Sequence, residues 1–189
     1  GKVATVVFDP YDAEFTGLSS LKLAADIVCV SHDHKDHNNA SAVAPIQEGK
    51  GPFVISGPGE YEISGINIVG IPSFHDDKEG EERGKNTIYC ATIDEVTFVH
   101  LGDLGQKKLT QNQIEELSSC DVLFIPVGGS GFTISAKEAA DIVAEIGPKI
   151  VVPIHYKLPN LKFELEGVET FLSSIGKEGL EAVPKLSLS

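Results

Sequence analysis

The sequence contains no methionine. A chain that has lost its initiator is expected to be a trimmed piece of a longer protein. Cysteine is scarce as well: Cys29, Cys90 and Cys120 are an odd number, show no CxxC spacing, and each sits in an apolar, strand-like run. Buried free thiols are therefore expected, which favours a reducing, cytoplasmic setting. Positive charge is under-represented, with 15 Lys and Arg against 28 Asp and Glu and a formal net charge of −13. A surface that tracks phosphates needs clustered Lys and Arg, and no such cluster occurs, so general nucleic-acid binding is disfavoured and the acidity is read as solubility. No stretch approaches the roughly 18 consecutive apolar residues of a membrane-spanning helix, and Gly1-Lys2-Val3 does not read as a signal peptide. Repeats, low-complexity tracts and Pro/Ser linkers are also missing.

What is present fits one domain over residues 1–189, long enough to bury a core without disulfide or metal staples. Lys2–Phe8 is a β-rich run closed by the turn signal Asp9-Pro10. Ile27–Ser31 reads as a short buried strand. Phe53–Ile71 reads as short strands split by Gly-Pro-Gly and Ser-Gly turns, and Thr87–Ile93 and Val96–Leu101 read as a hairpin joined at Asp94-Glu95. The last third changes character. Thr110 and Gln113 form a capping-box pattern, which predicts a helix to about Ser118, and Asp121–Pro126 follows as a buried strand. A second box at Ser135 and Glu138 opens a helix to Ile146, stopped by Gly147 and Pro148. Ile150–Ile154 is another buried strand, and a helix follows around Val168–Ile175. The pattern predicts an α/β architecture with helices flanking sheets.

The chemistry-bearing residues are the histidines. Three of the six fall in Ser31-His32-Asp33-His34-Lys35-Asp36-His37, directly after a predicted strand. Neutral imidazoles and a carboxylate suit zinc and similar borderline cations. In an extended segment His32 and His34 point the same way and can reach one metal. Asp36 and His37, past the bend, can face a second. His75, His100 and His155 also sit where predicted strands end, and Asp103 follows a glycine that allows close approach.

His32-x-His34-x-Asp36-His37, then His75, Gly102-Asp103 and His155, in that order, resemble the metallo-β-lactamase superfamily. Phe8-Asp9-Pro10-Tyr11, Gly57-Pro58-Gly59-Glu60-Tyr61, the stretch His100–Gly105, Pro126-Val127-Gly128-Gly129 and Pro153-Ile154-His155-Tyr156 look like the branch that includes the ascorbate-6-phosphate lactonase and many metal-dependent hydrolases. The resemblance runs from about Val3 to Tyr156. It implies a four-layer αββα sandwich with a dinuclear site on one edge. His32, His34 and His75 would hold the first metal, Asp36, His37 and His155 the second, and Asp103 would bridge them. His100 lies outside that set and is expected to pack behind it, orienting Asp103 or a ligand histidine. The family usually begins with one or two further strands carrying a Gly-His-Ser-Cys-Phe-like stretch. This chain is accordingly expected to lack the first strand or strands and the extreme C-terminus, with one pocket wall missing and a strand edge exposed.

The activity implied is hydrolysis. Two divalent ions, zinc first and manganese or iron also served by these donors, lower the pKa of a bound water from about 16 to roughly 7. The resulting metal-bound hydroxide would attack an ester, lactone or phosphodiester of a small substrate, with Asp36 orienting it and accepting its proton. Arg83, among acids in the charged loop 76–86, is a candidate grip for an anionic substrate. Gly128-Gly129-Ser130-Gly131, ahead of a capped helix, could offer backbone N–H groups to an anion. Oxygen-reducing members of the fold carry Glu where this chain has His34, and a nuclease of the superfamily would need a clamp domain or a basic arm. A non-catalytic metal-binding regulatory or structural protein on the same fold stays open as the alternative. The expected partner is a small molecule, without nucleic acid or membrane, and the resemblance is compatible with a homo-oligomer.

Overall fold

The structure is a computed structural model that describes residues 4–187. Side-chain alternation along two long strands decides the layering. In β7 (Ile66–Phe74) and β8 (Lys85–Ile93), Ile66, Ile68, Tyr89 and Ala91 point one way, and Val69, Ile71, Ile88 and Cys90 point the other. A strand with apolar residues on both faces must be covered on both. On one side a second sheet supplies Ile27, Cys29 and Ile55. On the other, helices supply Leu117, Ala139, Ile142 and Phe171.

The smaller sheet is parallel, with β3 (Ile27–Val30) between β1 (Val6–Phe8) and β5 (Phe53–Ser56). The strand expected from Lys2 is seen from Val6, and Lys2 and Val3 lie outside the described residues. The larger sheet has six strands in the order β11-β10-β9-β8-β7-β6, with β6 at Gly59–Ile63, β9 at Val96–His100, β10 at Val122–Pro126 and β11 at Ile150–Ile154. β6 to β9 form an antiparallel meander, while β9, β10 and β11 run parallel. The two sheets are tied by Tyr89, whose buried hydroxyl donates to Val30 O at 2.9 Å and accepts from Gly57 N at 2.9 Å.

Both predicted capping boxes are present. Thr110 and Gln113 open α2 (Gln111–Leu117), and Ser135 and Glu138 open α3 (Ala136–Ile146), which ends at Gly147. With α4 (Val168–Ser174) they cover the outer face of the larger sheet. The far face of the smaller sheet is covered by β2 (Leu23–Ala25), β4 (Val43–Pro45) and a 3₁₀ turn at Ala40–Ala42, which pack Ala25, Val43 and Ala40 on Val28 and Val30. Cys29 and Cys120 are buried and Cys90 half-buried, all as free thiols. Among the described residues no helix is long and apolar enough to cross a membrane.

This topology positions the site. β7 runs parallel to β9, because β8 is antiparallel to both. The carboxyl ends of β7, β9, β10 and β11 therefore lie on one edge of the sandwich. The carboxyl ends of β1 and β3 meet them there, where Thr87 N donates to Ser31 O at 2.9 Å.

Candidate metal centre

His32 and His34 follow β3 in a bent stretch rather than the extended one expected, yet His32 Nε2 approaches His34 Nδ1 to 3.0 Å. A turn follows, in which the amides of His37 and Asn38 both donate to His34 O. The turn sends Asp36 and His37 toward β11, where His155 follows Ile154. His75 follows the last residue of β7. Two triads result. Ligand-capable atoms of His32, His34 and His75 lie within 4.8 Å of one another, and so do those of Asp36, His37 and His155. A third grouping, Asp9 with His32 and His37, overlaps them. Asp103 stands between the triads: its Oδ2 is 3.2 Å from His75 Nε2, 3.6 Å from His155 Nε2 and 3.9 Å from His37 Nε2. Four strands, β3, β7, β9 and β11, thus bring all seven residues of the expected ligand set to one place.

Asp103 is held from behind. Asn86 accepts from Asp103 N through Oδ1 and donates to Ser73 Oγ and Leu101 O. Gly102 takes a left-handed conformation at φ 62, and a Cβ there would run into Asn86 and Ser31. His100 sits under this turn, its Nδ1 accepting from Gly102 N at 3.0 Å and its ring stacked on Phe8. Arg83 lies at the rim, its guanidinium over the Phe132 ring.

Asp9 belongs to the site as well, although the sequence marked it only as a turn residue and part of a flanking motif. It follows β1 with φ 46, and its side chain is 6% exposed. One oxygen accepts from Ser31 N at 2.7 Å, and the other from Ser31 Oγ at 2.6 Å and His37 Nδ1 at 2.9 Å.

These contacts set the charges. Burial disfavours a charged His37, but the hydrogen bond and charge of Asp9, with Asp103 and Asp36, push it up to about 9. Burial would raise Asp9, yet His37, His100 and Ser31 together hold it well below the usual carboxylate range. His32 falls to about 3, first through burial and then through the charge of His37. Burial likewise lowers His75. Asp36 is held at about 2 because His155 and His37 outweigh its burial. At neutral pH His32 and His75 are therefore free bases with lone pairs to give, and Asp36 is a carboxylate.

Four buried polar atoms of the cluster, His37 Nε2, His75 Nδ1, Asp103 Oδ1 and His155 Nδ1, have no hydrogen-bond partner among the described residues. Orphaned buried polar atoms are uncommon and call for an explanation. Nitrogen and carboxylate donors packed with their orphans around one bridging acid fit divalent cations.

A broad cleft of about 780 Å³ reaches His32 and His34 from the side of Ser56 and Pro58, and two smaller ones open onto the cluster. One, of about 390 Å³, lies on the His37 and His155 side and has apolar walls from Phe8, Tyr11, Leu158 and Phe163. The other, of about 340 Å³, lies over His34 and His75 and is walled by Phe15, Lys35, Arg83 and Phe132. The glycine-rich loop before α3 contributes Phe132 to that wall. At the start of α3, Ser135 Oγ accepts from Glu138 N at 3.3 Å and the Glu138 carboxylate accepts from Ser135 N at 2.8 Å.

Comparison with known proteins agrees with this geometry. A family model described as the Beta-lactamase superfamily domain matches residues 1–155. A Pyrococcus horikoshii protein named a metal-dependent hydrolase is 31% identical over 69% of this chain and 66% of its own length. The chain thus spans about two thirds of that relative. A Methanoculleus marisnigri protein with the same description is 31% identical over 86% of this chain and 78% of its own length. Among solved structures, a Thermotoga maritima protein described as a Zn-dependent hydrolase of the metallo-beta-lactamase superfamily superposes with a TM-score of 0.71. Its identity is 35%, covering 91% of this chain and 78% of that one.

Proposed function

Because the chain belongs to the beta-lactamase superfamily domain family, we propose that it is a metal-dependent hydrolase of small esters, lactones or phosphodiesters. The observation that carries this reading is the meeting of an all-histidine triad and an Asp/His/His triad on the single carboxylate of Asp103. His32, His34 and His75 would hold one divalent ion and Asp36, His37 and His155 the other, with Asp103 shared. Zinc suits this histidine-rich set best, and manganese or iron can use the same donors.

Bound there, such ions supply Lewis-acid charge for a developing oxyanion and a nucleophile from water at neutral pH. The chain's own residues do the rest. Asp36, ionised at neutral pH, orients the attacking oxygen by accepting its hydrogen and takes the proton that is released. Asp9 fixes the ring of His37 so that Nε2 faces the cluster. Asn86 fixes the main chain of Asp103. The clefts admit a small molecule, and a net charge of −13 disfavours a polyanionic partner.

The test starts from protein purified without chelator or added metal. Elemental analysis should find about two equivalents of divalent metal, lost in His32→Ala. A panel of neutral and anionic esters, lactones and phosphodiesters should include one that the protein hydrolyses and that neither His32→Ala nor Asp36→Ala does. Hydrolysis surviving both substitutions overturns the reading. Metal binding without turnover of any member of the panel returns the non-catalytic alternative.

A further inference from the structure

We infer that the cleft over His34 and His75 binds an oxyanion through Lys35 and Arg83, so that the substrates are small esters carrying a carboxylate or phosphate group away from the bond that is cleaved. The inference rests on the hydrolytic reading above for the word substrate, and on the cleft itself for the anion.

The first observation is how these two cations are partnered. Lys78, Lys107, Lys149 and Lys157 each pair with a carboxylate. Lys35 and Arg83 pair with aromatic rings instead. The Arg83 guanidinium carbon lies 4.9 Å from the centroid of Phe132, and Lys35 Nζ lies 5.9 Å from that of Phe15. Both ring-held cations line the same cleft beside the cluster. A ring face holds a cation electrostatically and leaves its N–H donors free, and a planar guanidinium matches both carboxylate and phosphate.

The second observation is that both cations are anchored through their main chain. Arg83 N donates to Asp76 Oδ2 at 2.7 Å, which fixes the loop that carries it. Lys35 O accepts from Asp12 N at 2.9 Å, next to α1 (Ala13–Thr16), whose Phe15 lies beneath the ammonium group. The two side chains come from different segments and line one cleft with His75 and Asp103. Three carboxylates share the cleft. Asp36 and Asp103 belong to the candidate metal cluster, and Asp33 is bonded to Asn38 Nδ2. The reacting bond must reach the cluster, so an anion on the cation-bearing walls is a separate group of the same molecule. The chain as a whole repels anions, which makes a local grip the means of retaining one. At about 340 Å³ the cleft is at the small end of ligand sites.

The experiment uses the zinc-loaded protein and three probes: phenylphosphonate, phenylacetate and benzyl alcohol. Binding is measured by titration calorimetry against wild type, Arg83→Gln and Lys35→Gln, with zinc content checked in each. Arg83→Gln and Lys35→Gln should each weaken at least one anionic probe about tenfold or more, with the neutral probe and the zinc content unchanged. Loss confined to phenylphosphonate identifies phosphate as the anion, and loss confined to phenylacetate identifies carboxylate. Unchanged binding of both anions in both variants overturns the inference, even if the ester panel is hydrolysed. Anion binding that depends on Arg83 and Lys35 in a protein that hydrolyses no ester overturns the hydrolytic reading and leaves the anion site standing.

Discussion

Asp9 accepts a hydrogen bond from Nδ1 of His37 at 2.9 Å while also accepting both donors of Ser31. Three donors converge on two carboxylate oxygens, and an amide cannot serve them, since its nitrogen would face a donor. Asp9→Asn should leave the fold in place and free the His37 ring to rotate. Loss of such a carboxylate behind a ligand histidine costs about 10- to 100-fold in metal affinity. Competition with a chromophoric chelator measures it, and an unchanged affinity would remove Asp9 from the site.

The same pair sets a pH dependence. With its pKa raised to about 9, His37 carries a proton at pH 7 in the metal-free protein. The stability this pair gives the metal-free fold is complete below the unfolded value near 6.5 and is lost as pH rises through about 9. Coordination needs the neutral ring, so metal must displace the proton. Apparent metal affinity should therefore climb with pH up to about 9. Calorimetry of zinc binding at pH 7 in two buffers of different ionisation enthalpy should detect about one proton released from this histidine. Zinc binding without proton release contradicts the assignment of His37 as a ligand.

Asp9 also shows where sequence reading stops. His32, His34, Asp36 and His37 are legible because chain neighbours share one metal site, so their spacing is the signal. The capping boxes at Thr110 and Ser135 are legible for the same reason, since cap and partner are three residues apart. Asp9 meets His37 across 28 positions, and the Tyr89 hydroxyl meets Val30 O across 59. Such pairs depend on how two sheets stack, which no local pattern encodes. The three-residue strands β2 and β4 and the four-residue α1 escaped notice differently, being too short to show a period. Arg83 was visible as a lone cation among acids, but its seat on Phe132, 49 positions away by the numbering, was not.

Gly105 explains a further constraint on His75. Its N–H donates to Phe74 O at 3.0 Å, and a Cβ on it would fall well inside contact distance of the His75 carbonyl and the Asp76 nitrogen. These are main-chain atoms, so they cannot swing aside as a side-chain tip would. Gly105→Ala should push His75 away from Asp103 and cost roughly 1–3 kcal/mol in stability. Gly51→Ala, with nothing near its Cβ, serves as the control and should change stability by no more than about 0.5 kcal/mol. Thermal unfolding and metal content are read together. A Gly105→Ala protein as stable and as metal-rich as wild type would show that this close approach has slack.

Asp76 is the hub of the loop that ends at Arg83. Its Oδ1 accepts from the amides of Lys78 and Gly80 and its Oδ2 from those of Glu82 and Arg83, at 2.7–3.0 Å. Burial would raise its pKa, but the four N–H groups outweigh that and hold it at about 2. The sign is that of a depressed acid: the stabilisation is present above about 3.8 and is lost as pH falls toward 2. Asp76→Asn keeps one acceptor oxygen and turns an amide nitrogen toward the other two donors. The loop should loosen at neutral pH, with faster amide exchange across residues 78–83 by mass spectrometry. Because Arg83 is held through its own amide, its guanidinium should leave Phe132, and anion binding should fall while zinc stays bound. Retained zinc with lost anion binding would separate the two halves of the site. Exchange as slow as in wild type would mean that the loop is held by other contacts, such as the Lys78–Glu82 and Lys107–Asp77 pairs.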